Sequence, residues 1–226
     1  MSLHLNFIWN FLKLNLIKHL FSIRLNYFLL LDDRPDKFGR LTNFNILIMR
    51  LLTGTNAPSL IAIDSMGCPV DLQALRGRRV MLSFYRYASC PICNMRMREL
   101  ILAHSRLQAA GLELVSVFQS RAESITQYVG RQDAPFPIIA DPEMTFYRRF
   151  GVESRWGGMF SLGVIRAAVT AFGKGFFPGK VDGPLHRVPA DFLIDADGKI
   201  AIAHYGKTID DHLTLATIEQ WLQATK

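Results

Sequence analysis

The sequence has few of the features that mark secreted, nucleic-acid-binding or membrane-spanning proteins. Only three of its 226 residues are cysteines, an odd number that does not fit a disulfide-stapled extracellular scaffold. The net charge is +7, but the sequence has no run of five or more Lys and Arg. We therefore expect no nucleic-acid partner. No stretch approaches the ~20 mostly apolar residues that a membrane-spanning helix needs. We therefore expect a cytoplasmic protein with little tendency to bind membranes.

The first 48 residues differ in composition from the rest of the chain. They contain no Ala, Val or Glu, whereas residues 49–226 contain 19 Ala. Three interpretations of this leader, residues 1–48, remain open. Translation starts at Met49, or the leader is an amphipathic helix on a membrane surface, or it is a packed accessory helix. We favour the start at Met49, which leaves residues 49–226 as the folded domain.

Residues 49–226 alternate between segments typical of strands and of helices. Continuous apolar runs at Val80–Tyr85 and Leu112–Phe118 predict buried strands. A helix is predicted between them from Pro91 to Ala109, ended by Gly111. The other predicted strands are Ser59–Ile63, Phe136–Ile139, Asp191–Ile194 and Lys199–His204, and the other predicted helices are 123–131, 141–151, 160–172 and 208–223. This order predicts an α/β sandwich of three layers, with an inserted loop near residues 157–188.

A Cys-x-x-Cys motif lies where the strand at Val80–Tyr85 runs out and the next helix begins. Cys90 directly precedes that helix, so it faces the unpaired N–H groups and the positive end of the helix dipole. Both favour thiolate over thiol, and we expect a pKa for Cys90 below the free value of ~8.5. Cys93 lies one turn further on, within reach of a sulfur on Cys90. We expect Cys90 to be the reactive, accessible thiol and Cys93 the buried one, with Arg86, Arg96 and Arg98 adding positive potential.

Several segments around this motif resemble one known family. The matching segments are Asn56–Pro58, Gly67–Leu72, Leu82–Arg86, Cys90/Cys93, Phe136–Asp141, Phe150–Val152, Pro189–Asp195, Asp197–Gly198, Tyr205–Gly206 and Asp211–His212. Together they resemble the peroxiredoxin-like branch of the alkyl hydroperoxide reductase and thiol-specific antioxidant family. The resemblance implies a thioredoxin-like sandwich with a central mixed sheet, and an antioxidant oxidoreductase that needs no cofactor. It also implies a peroxide substrate, a Cys90 sulfenic acid resolved by Cys93 and an external dithiol reductant. A homodimer is a separate possibility that the sequence leaves open.

Two positions depart from the pattern of that family. Peroxiredoxins have a Thr or Ser three residues before the reactive cysteine, where this chain has Tyr87, so Tyr87 or Ser89 is expected to supply the hydroxyl. They also have an arginine near the late strand, where this chain has Val188-Pro189-Ala190. That sequence resembles thioredoxin, in which the proline is cis and lies beside the disulfide, so we expect a cis peptide bond before Pro189. Arg187 is the substitute arginine closest in sequence. A protein disulfide is therefore an alternative substrate to peroxide, and a non-enzymatic binding module is a further alternative.

Each of these residues also has a more ordinary interpretation. Cys90 and Cys93 would be half of a zinc site, but no second close pair of Cys or His accompanies them, so we expect no metal. Cys68 is expected in a turn, with an alternative role as a resolving thiol. The charges of Arg96 and Arg98 are those of an exposed helix face. The pair Asp211–His212 is interpreted as a cap at a helix start rather than an acid–base pair.

Overall fold

The structure is a computed structural model that describes residues 50–154 and 161–224. The predicted leader and the first residue of the helix predicted from Phe160 lie outside the described residues. The strands are β1 (Ile61–Ile63), β2 (Pro69–Asp71), β3 (Arg79–Phe84), β4 (Leu112–Phe118), β5 (Ile138–Ala140), β6 (Ala190–Ile194) and β7 (Ile200–Tyr205). The helices are α1 (Pro91–Ala109), α2 (Ala122–Gln127), α3 (Thr145–Arg149), α4 (Leu162–Gly173) and α5 (Leu215–Ala224), with a 3-10 turn at Val129–Gln132.

A mixed five-stranded sheet forms the centre of the described residues. Its strand order is β5-β4-β3-β6-β7, with β3, β4 and β5 parallel and β6 antiparallel to both β3 and β7. Strands β1 and β2 form a separate antiparallel hairpin. The predicted hairpin around Asp197–Gly198 is confirmed as β6–β7, and Gly198 has a φ of 83°, which glycine adopts without a steric penalty. The predicted α/β fold with a mixed sheet is confirmed.

Alternate side chains of β3 face opposite layers of the core, as the two-residue repeat of a strand requires. Met81 belongs to the cluster that also contains Leu100 of α1 and Ile218 of α5. Leu82 and Phe84 belong to the other cluster, which includes aromatic residues of and after α3. Burial of a side chain of this kind stabilises the fold by roughly 1.5–3 kcal/mol. Helices therefore cover the sheet on both faces, which is the three-layer sandwich expected from the sequence.

Helix α1 and strand β4 have the bounds that the sequence predicts. Pro91 stands in the first turn of α1, where its missing N–H is no loss, and Gly111 follows the helix with a φ of 84°. Helix α3 is shorter than the predicted 141–151. The Asp141 carboxylate accepts hydrogen bonds from the backbone N–H groups of Thr145 at 2.8 Å and Phe146 at 2.7 Å. Asp141 therefore caps the helix from outside instead of starting it.

The terminal helix α5 begins at Leu215 rather than at the predicted Thr208. The Thr214 hydroxyl accepts a hydrogen bond from the backbone N–H of Thr217 at 3.1 Å, as a helix-capping side chain does. The interpretation of Asp211–His212 as the cap is therefore wrong. These two residues lie in the loop before the helix, where the Asp211 carboxylate and the His212 ring make other contacts.

Candidate active site

The Cys90 sulfur lies where strand β3 leads into helix α1. Nη1 of Arg86 donates a hydrogen bond to Cys90 Sγ at 3.4 Å. The sulfur stands at the N-cap of α1, where the backbone N–H groups of Ile92 and Cys93 in the first turn lower the pKa of Cys90. The guanidinium and these N–H groups carry a full or partial positive charge, so they stabilise thiolate more than thiol. The arrangement holds a negatively charged sulfur at Cys90.

The two cysteines of the motif differ in acidity. The hydrogen bond from the Cys93 thiol is the largest cause that brings the pKa of Cys90 down to about 6; burial opposes it and Arg86 adds to it. Burial raises the pKa of Cys93 well above its usual range, and the hydrogen bond with Cys90 acts in the same direction. At neutral pH Cys90 is mostly thiolate and Cys93 is thiol. The direction for Cys90 agrees with the expectation from its place at the helix terminus.

Side chains from three other parts of the fold fix the loop that presents Cys90. The Ser120 hydroxyl, just after β4, accepts a hydrogen bond from the backbone N–H of Ala88 at 2.7 Å. Asn94 Nδ2 on α1 donates to the carbonyl of Ala88 at 2.7 Å. The Tyr147 hydroxyl on α3 donates to the carbonyl of Tyr85 at 2.6 Å. Because the loop is tied on several sides, the position of the sulfur is set by the scaffold rather than by one contact.

Both cysteines of the motif are buried, which corrects one expectation. The sequence indicates an accessible Cys90 beside a buried Cys93, but the Cys90 residue is 0% exposed. The segment of residues 178–187 follows α4 and contacts the loop that presents Cys90; we name it the strap. The strap is hydrogen-bonded to Ser89, the neighbour of Cys90, and to Arg86. A reagent of any size can reach the sulfur only when this covering structure opens.

Four hydrogen bonds tie the strap to the protein around Cys90. In each of them a side chain near the loop donates to an acceptor on the strap. The pairs are Ser89 Oγ to the Lys180 carbonyl at 2.7 Å, Arg86 to the Leu185 carbonyl, Ser120 Oγ to Asp182 Oδ1 at 2.6 Å, and Gln119 Nε2 to the Pro184 carbonyl at 3.0 Å. Arg86 therefore binds the reactive sulfur and the strap at the same time.

Two glycines allow the strap to lie close against its support. A Cβ added at Gly179 would come within 2.3 Å of the Tyr128 ring, and one at Gly183 within 2.5 Å of the Gln119 amide. The Tyr128 hydroxyl accepts a hydrogen bond from the backbone N–H of Lys180 at 3.1 Å. The Tyr128 and Gln119 side chains therefore anchor the strap, and each occupies the space that a Cβ at Gly179 or Gly183 would fill.

Tyr87 and Ser89 are the two residues expected to replace the hydroxyl of the family pattern. Ser89 Oγ donates to the Lys180 carbonyl, so its proton is engaged by the strap. Burial raises the pKa of Tyr87 to about 12, and the neighbouring charge of Cys90 acts in the same direction. The Arg86 guanidinium lies over the Tyr87 ring, 5.0 Å from its centroid. Tyr87 is thus a neutral hydrogen-bond donor beside the Arg86–Cys90 pair, while Ser89 holds the strap.

Arg187, expected as the substitute arginine, lies in a different set of contacts. Its Nη1 donates to the Val152 carbonyl at 2.8 Å, and its guanidinium lies over the Tyr147 ring at 5.1 Å. Burial lowers the pKa of Arg187. The guanidinium that contacts the reactive sulfur is that of Arg86, four residues before Cys90.

The peptide bond between Val188 and Pro189 is trans, so the expected cis-proline is wrong. No cis peptide bond occurs in residues 50–154 and 161–224. Trans is the more stable isomer of an X–Pro bond by about 0.5–1 kcal/mol. In this isomer the Pro189 carbonyl accepts a hydrogen bond from the backbone N–H of Gly206 at 2.9 Å. Pro189 is buried at the entry to β6 and has a structural role there.

Arg96 is buried, although the sequence indicates an exposed charge on the helix. Its Nη2 donates to the Leu213 carbonyl at 2.6 Å, and its Nη1 contacts Glu99 at 2.5 Å. Burial works against the charge of Arg96, but Asp191 and Glu99 outweigh it and raise the pKa of the guanidinium. Arg98, on the same helix, is exposed as expected. Arg96 therefore joins α1 to the loop before α5.

Asp191 and His212 form a buried pair that the sequence reasoning missed. His212 Nδ1 lies 3.1 Å from both oxygens of the Asp191 carboxylate, and the backbone N–H of Leu213 donates to that carboxylate at 2.7 Å. Burial raises the pKa of Asp191, but His212 and Arg96 more than offset this and hold it below its usual range. The available signal was a carboxylate inside the apolar run Ala190–Ile194, since such a group needs a partner.

Cys68 is exposed in the turn between β1 and β2, which confirms its predicted place. Its backbone N–H donates to Asp64 Oδ1 at 2.8 Å. All three cysteines are free thiols. In the part of the chain that the structure describes, no three His, Cys, Asp or Glu side chains are grouped as metal ligands.

Asp182→Ala should speed alkylation of Cys90 about tenfold, because a hydrogen bond to a charged group contributes roughly 1.5–3 kcal/mol to the closed strap. The rate is measured with iodoacetamide and mass spectrometry at pH 8, where Cys90 is already thiolate and the rate reports access. The exposed Cys68 thiol is the internal reference. Lys180→Ala is the matched control, since Lys180 holds the strap through its backbone. Equal rates in parent and Asp182→Ala protein would show that the strap does not limit access.

The fold and the paired thiols at a helix N-terminus define the class of the protein as a thioredoxin-fold protein with a redox-active cysteine. Within that class the chain belongs to the AhpC/TSA family, whose sequence model matches residues 53–203. The resemblance inferred from the sequence is thereby confirmed.

The relatives to which this chain is similar agree with the family assignment. A Mycobacterium tuberculosis protein named as a peroxiredoxin is 29% identical over 165 residues, which is 73% of this chain and 91% of the relative. Peroxiredoxin Bcp of Escherichia coli is 28% identical over 150 residues, 66% of this chain and 83% of the relative. The crystal structure of peroxidoxin BcpB from M. tuberculosis matches with a TM-score of 0.57 at 18% identity, covering 77% of this chain and 97% of that one. That structural match supports the fold.

Proposed function

We propose that this protein is a thiol-dependent peroxidase in which the Cys90 thiolate attacks the O–O bond of a peroxide. The observation that carries the proposal is the Cys90 sulfur at the N-cap of α1, with Arg86 Nη1 at 3.4 Å. Membership of the AhpC/TSA family and the relatives named as peroxiredoxins support the same activity.

The two cysteines divide the reaction between them. The Cys90 sulfur bonds to one peroxide oxygen, the O–O bond breaks, and the leaving oxygen takes a proton to become water or an alcohol. Cys90 is then a sulfenic acid. The Cys93 sulfur attacks Cys90 Sγ, loses its proton, and releases the hydroxyl as water, so that a Cys90–Cys93 disulfide forms. An external dithiol reduces this disulfide and is itself oxidised.

Arg86 and Tyr87 are the side chains placed to act on the peroxide. The Arg86 guanidinium stabilises the negative charge that develops on the leaving oxygen, as a preorganised cation does in a buried site. The Tyr87 hydroxyl stays protonated because of its raised pKa of about 12, so it donates a hydrogen bond to the peroxide. Ser89 and Arg187 have other partners and take no part in these steps.

The burial of Cys90 favours a small peroxide over a protein disulfide as the oxidising substrate. A disulfide on another protein has to align its own two sulfurs with the attacking thiolate. Hydrogen peroxide needs a much smaller opening beneath the strap. The dithiol reductant has to reach the Cys90–Cys93 disulfide later, so the strap opens in each cycle. A reduced dithiol protein is available in the cytoplasm, which agrees with the predicted cytoplasmic location. That location and the homodimer stay predictions.

Stopped-flow mixing of the reduced protein with hydrogen peroxide and, separately, with a model disulfide tests this proposal. We expect the peroxide to react faster by an order of magnitude or more, because the small oxidant enters the site more readily. Reaction is followed by intrinsic fluorescence and by loss of free thiol. The reverse order of rates would make the protein a disulfide oxidoreductase. No Cys90 sulfenic acid and no turnover with either compound would indicate a non-enzymatic binding module.

A further inference from the structure

The outer face of helix α4 carries a stripe of exposed apolar side chains. Their spacing of three, four and three residues puts four of them on one side of the helix, and an aromatic residue extends the stripe past its end. We name these residues the apolar patch: Leu162, Ile165, Val169, Phe172 and Phe177. Ile165 is 60% exposed and Val169 65% exposed. The rings of Phe172 and Phe177 stack with centroids 6.2 Å apart, so the patch is continuous.

The inner face of α4 is apolar as well, and it already has partners. Val164 belongs to the buried cluster beneath the helix, with Ala167 and Ala168 packed against it. A helix at a protein surface normally has a polar outer face, and a helix that is apolar all round is surrounded by apolar material. The only charged residue of α4 is Arg166. The outer face of α4 therefore has the apolar composition of a buried surface, yet its side chains are exposed to solvent.

The exposed charges on and next to α4 along the chain are positive. No acidic residue occurs in the sequence between Glu153 and Asp182. Arg166, Lys174 and Lys180 lie in this stretch and are exposed. Within the described residues of this stretch, the exposed charges are therefore all positive. A surface of this kind attracts a partner that carries negative charge around an apolar interior.

Acidic side chains approach α4 on the face that carries Ala167 and Thr170. Glu99 of α1 and Asp210 of the loop before α5 line a cavity of about 550 Å³ together with these two residues and with Lys174, which follows the helix. No member of the apolar patch lines that cavity. The two carboxylates therefore face Lys174 rather than the apolar patch, and Lys174 is not counted among the cations beside the patch.

We propose that the apolar patch inserts into the surface of a membrane that contains anionic lipids. Helices that lie in a membrane interface have Leu and Phe side chains on one face and Lys or Arg beside them, and they bind by burying the first and pairing the second with head groups. Arg166 and Lys180 supply the cations. The expectation of little membrane binding rests on the lack of a spanning segment, and no described helix is long and apolar enough to cross a membrane. A helix lying in the interface needs no such length.

The charge of the patch argues against a second copy of this chain as its occupant. In a symmetric dimer the same surface meets itself, so Arg166 and Lys180 of the two copies would be brought together around an apolar contact. Like charges placed opposite each other weaken association. An anionic lipid surface removes this repulsion and covers the same side chains. Phe177 also directly precedes the strap, so insertion of the patch brings the cover of Cys90 to the lipid surface.

Co-sedimentation of the full chain with phosphatidylcholine vesicles, with and without phosphatidylglycerol, tests the proposal. We expect binding to the vesicles that contain phosphatidylglycerol, and weaker binding at high salt because the cations are screened. The double variant Ile165→Gln/Val169→Gln should lower the partition coefficient by about tenfold or more, since two apolar side chains no longer insert. It keeps every charge of the protein.

The matched control is Ile61→Gln/Ile63→Gln, which makes the same kind of change on the exposed strand β1. It should bind vesicles like the parent protein. All variants contain the same leader, so a leader that binds lipid by itself would leave the Ile165→Gln/Val169→Gln protein on the vesicles and overturn the proposal. Failure of the parent protein to bind also overturns it. The patch is a protein interface if the parent protein does not bind vesicles and Ile165→Gln/Val169→Gln turns a dimer into a monomer in gel filtration. Release of an acidic partner protein by the same variant would have the same meaning. Unchanged melting temperature and peroxide turnover without vesicles show that the variant is folded.

Discussion

Cys90→Ser should abolish peroxide reduction, whereas Cys93→Ser should carry out the first step and stop. Without Cys90 the site has no thiolate, and a serine hydroxyl is far less acidic. Without the Cys93 thiol, Arg86 and the first-turn N–H groups of α1 still lower the pKa of Cys90. The sulfenic acid then forms and has no thiol beside it to condense with. After one equivalent of hydrogen peroxide, mass spectrometry should find a dimedone adduct on Cys90 in the Cys93→Ser protein and none in the Cys90→Ser protein.

Cys68→Ser is the matched control for these two variants, because Cys68 is an exposed thiol outside the motif. It should react and turn over like the parent protein. Loss of turnover in Cys68→Ser, together with retention in Cys93→Ser, would transfer the resolving role to Cys68. Full turnover of Cys93→Ser with a small thiol as reductant would mean that Cys90 works as a single-cysteine peroxidase.

Arg86→Gln should raise the pKa of Cys90 and slow its reaction with peroxide at neutral pH. The thiolate is the reactive form, so the rate of the parent protein should fall by half near pH 6 and continue to fall as the pH decreases. Removal of the guanidinium at 3.4 Å should move this midpoint upward, by roughly one unit for each 1.4 kcal/mol of lost interaction. At a pH above both midpoints a further loss of roughly 100-fold should remain, because the leaving oxygen is no longer stabilised.

The pH profile of the stopped-flow rate separates these two contributions of Arg86. Arg98→Gln removes an exposed cation from helix α1 and should leave both the midpoint and the plateau unchanged. Arg86→Lys keeps the charge without the forked donors, so its midpoint should lie between those of the parent and of Arg86→Gln. An Arg86→Gln profile that coincides with the parent profile would remove Arg86 from the proposed chemistry.

The predictable parts of the fold are those that nearby residues determine. The start of α1 follows from Pro91 after a buried strand, and its end follows from Gly111. The start of α5 depends on more distant contacts. Thr214 caps it, while the His212 ring just before it is drawn to Asp191 on β6. A pattern of apolar residues along one segment contains no information about such a partner.

The reactive centre was predictable to the same extent. The direction of the pKa shift of Cys90 is predicted by its place before a helix, whereas the largest cause in the structure is the hydrogen bond from the Cys93 thiol. Its complete burial was not predictable, because the strap beside its loop lies about ninety residues away along the chain. The choice between Arg86 and Arg187 likewise depends on which way each side chain extends, and Arg187 is held by the Val152 carbonyl. The trans bond before Pro189 shows that a family motif transfers a residue more reliably than a backbone conformation.

The two glycines of the strap make its closure unusually sensitive to substitution. Alanine at Gly179 or Gly183 would push aside the Tyr128 ring or the Gln119 amide, each of which is also an anchor of the strap. A single methyl group would thus keep the strap from closing fully, while Cys90, Cys93 and Arg86 stay unaltered. Such a change would admit larger oxidants at the cost of exposing the thiolate between turnovers. At these two positions, a change of one methyl group is therefore expected to widen the range of oxidants and to reduce the protection of the thiolate.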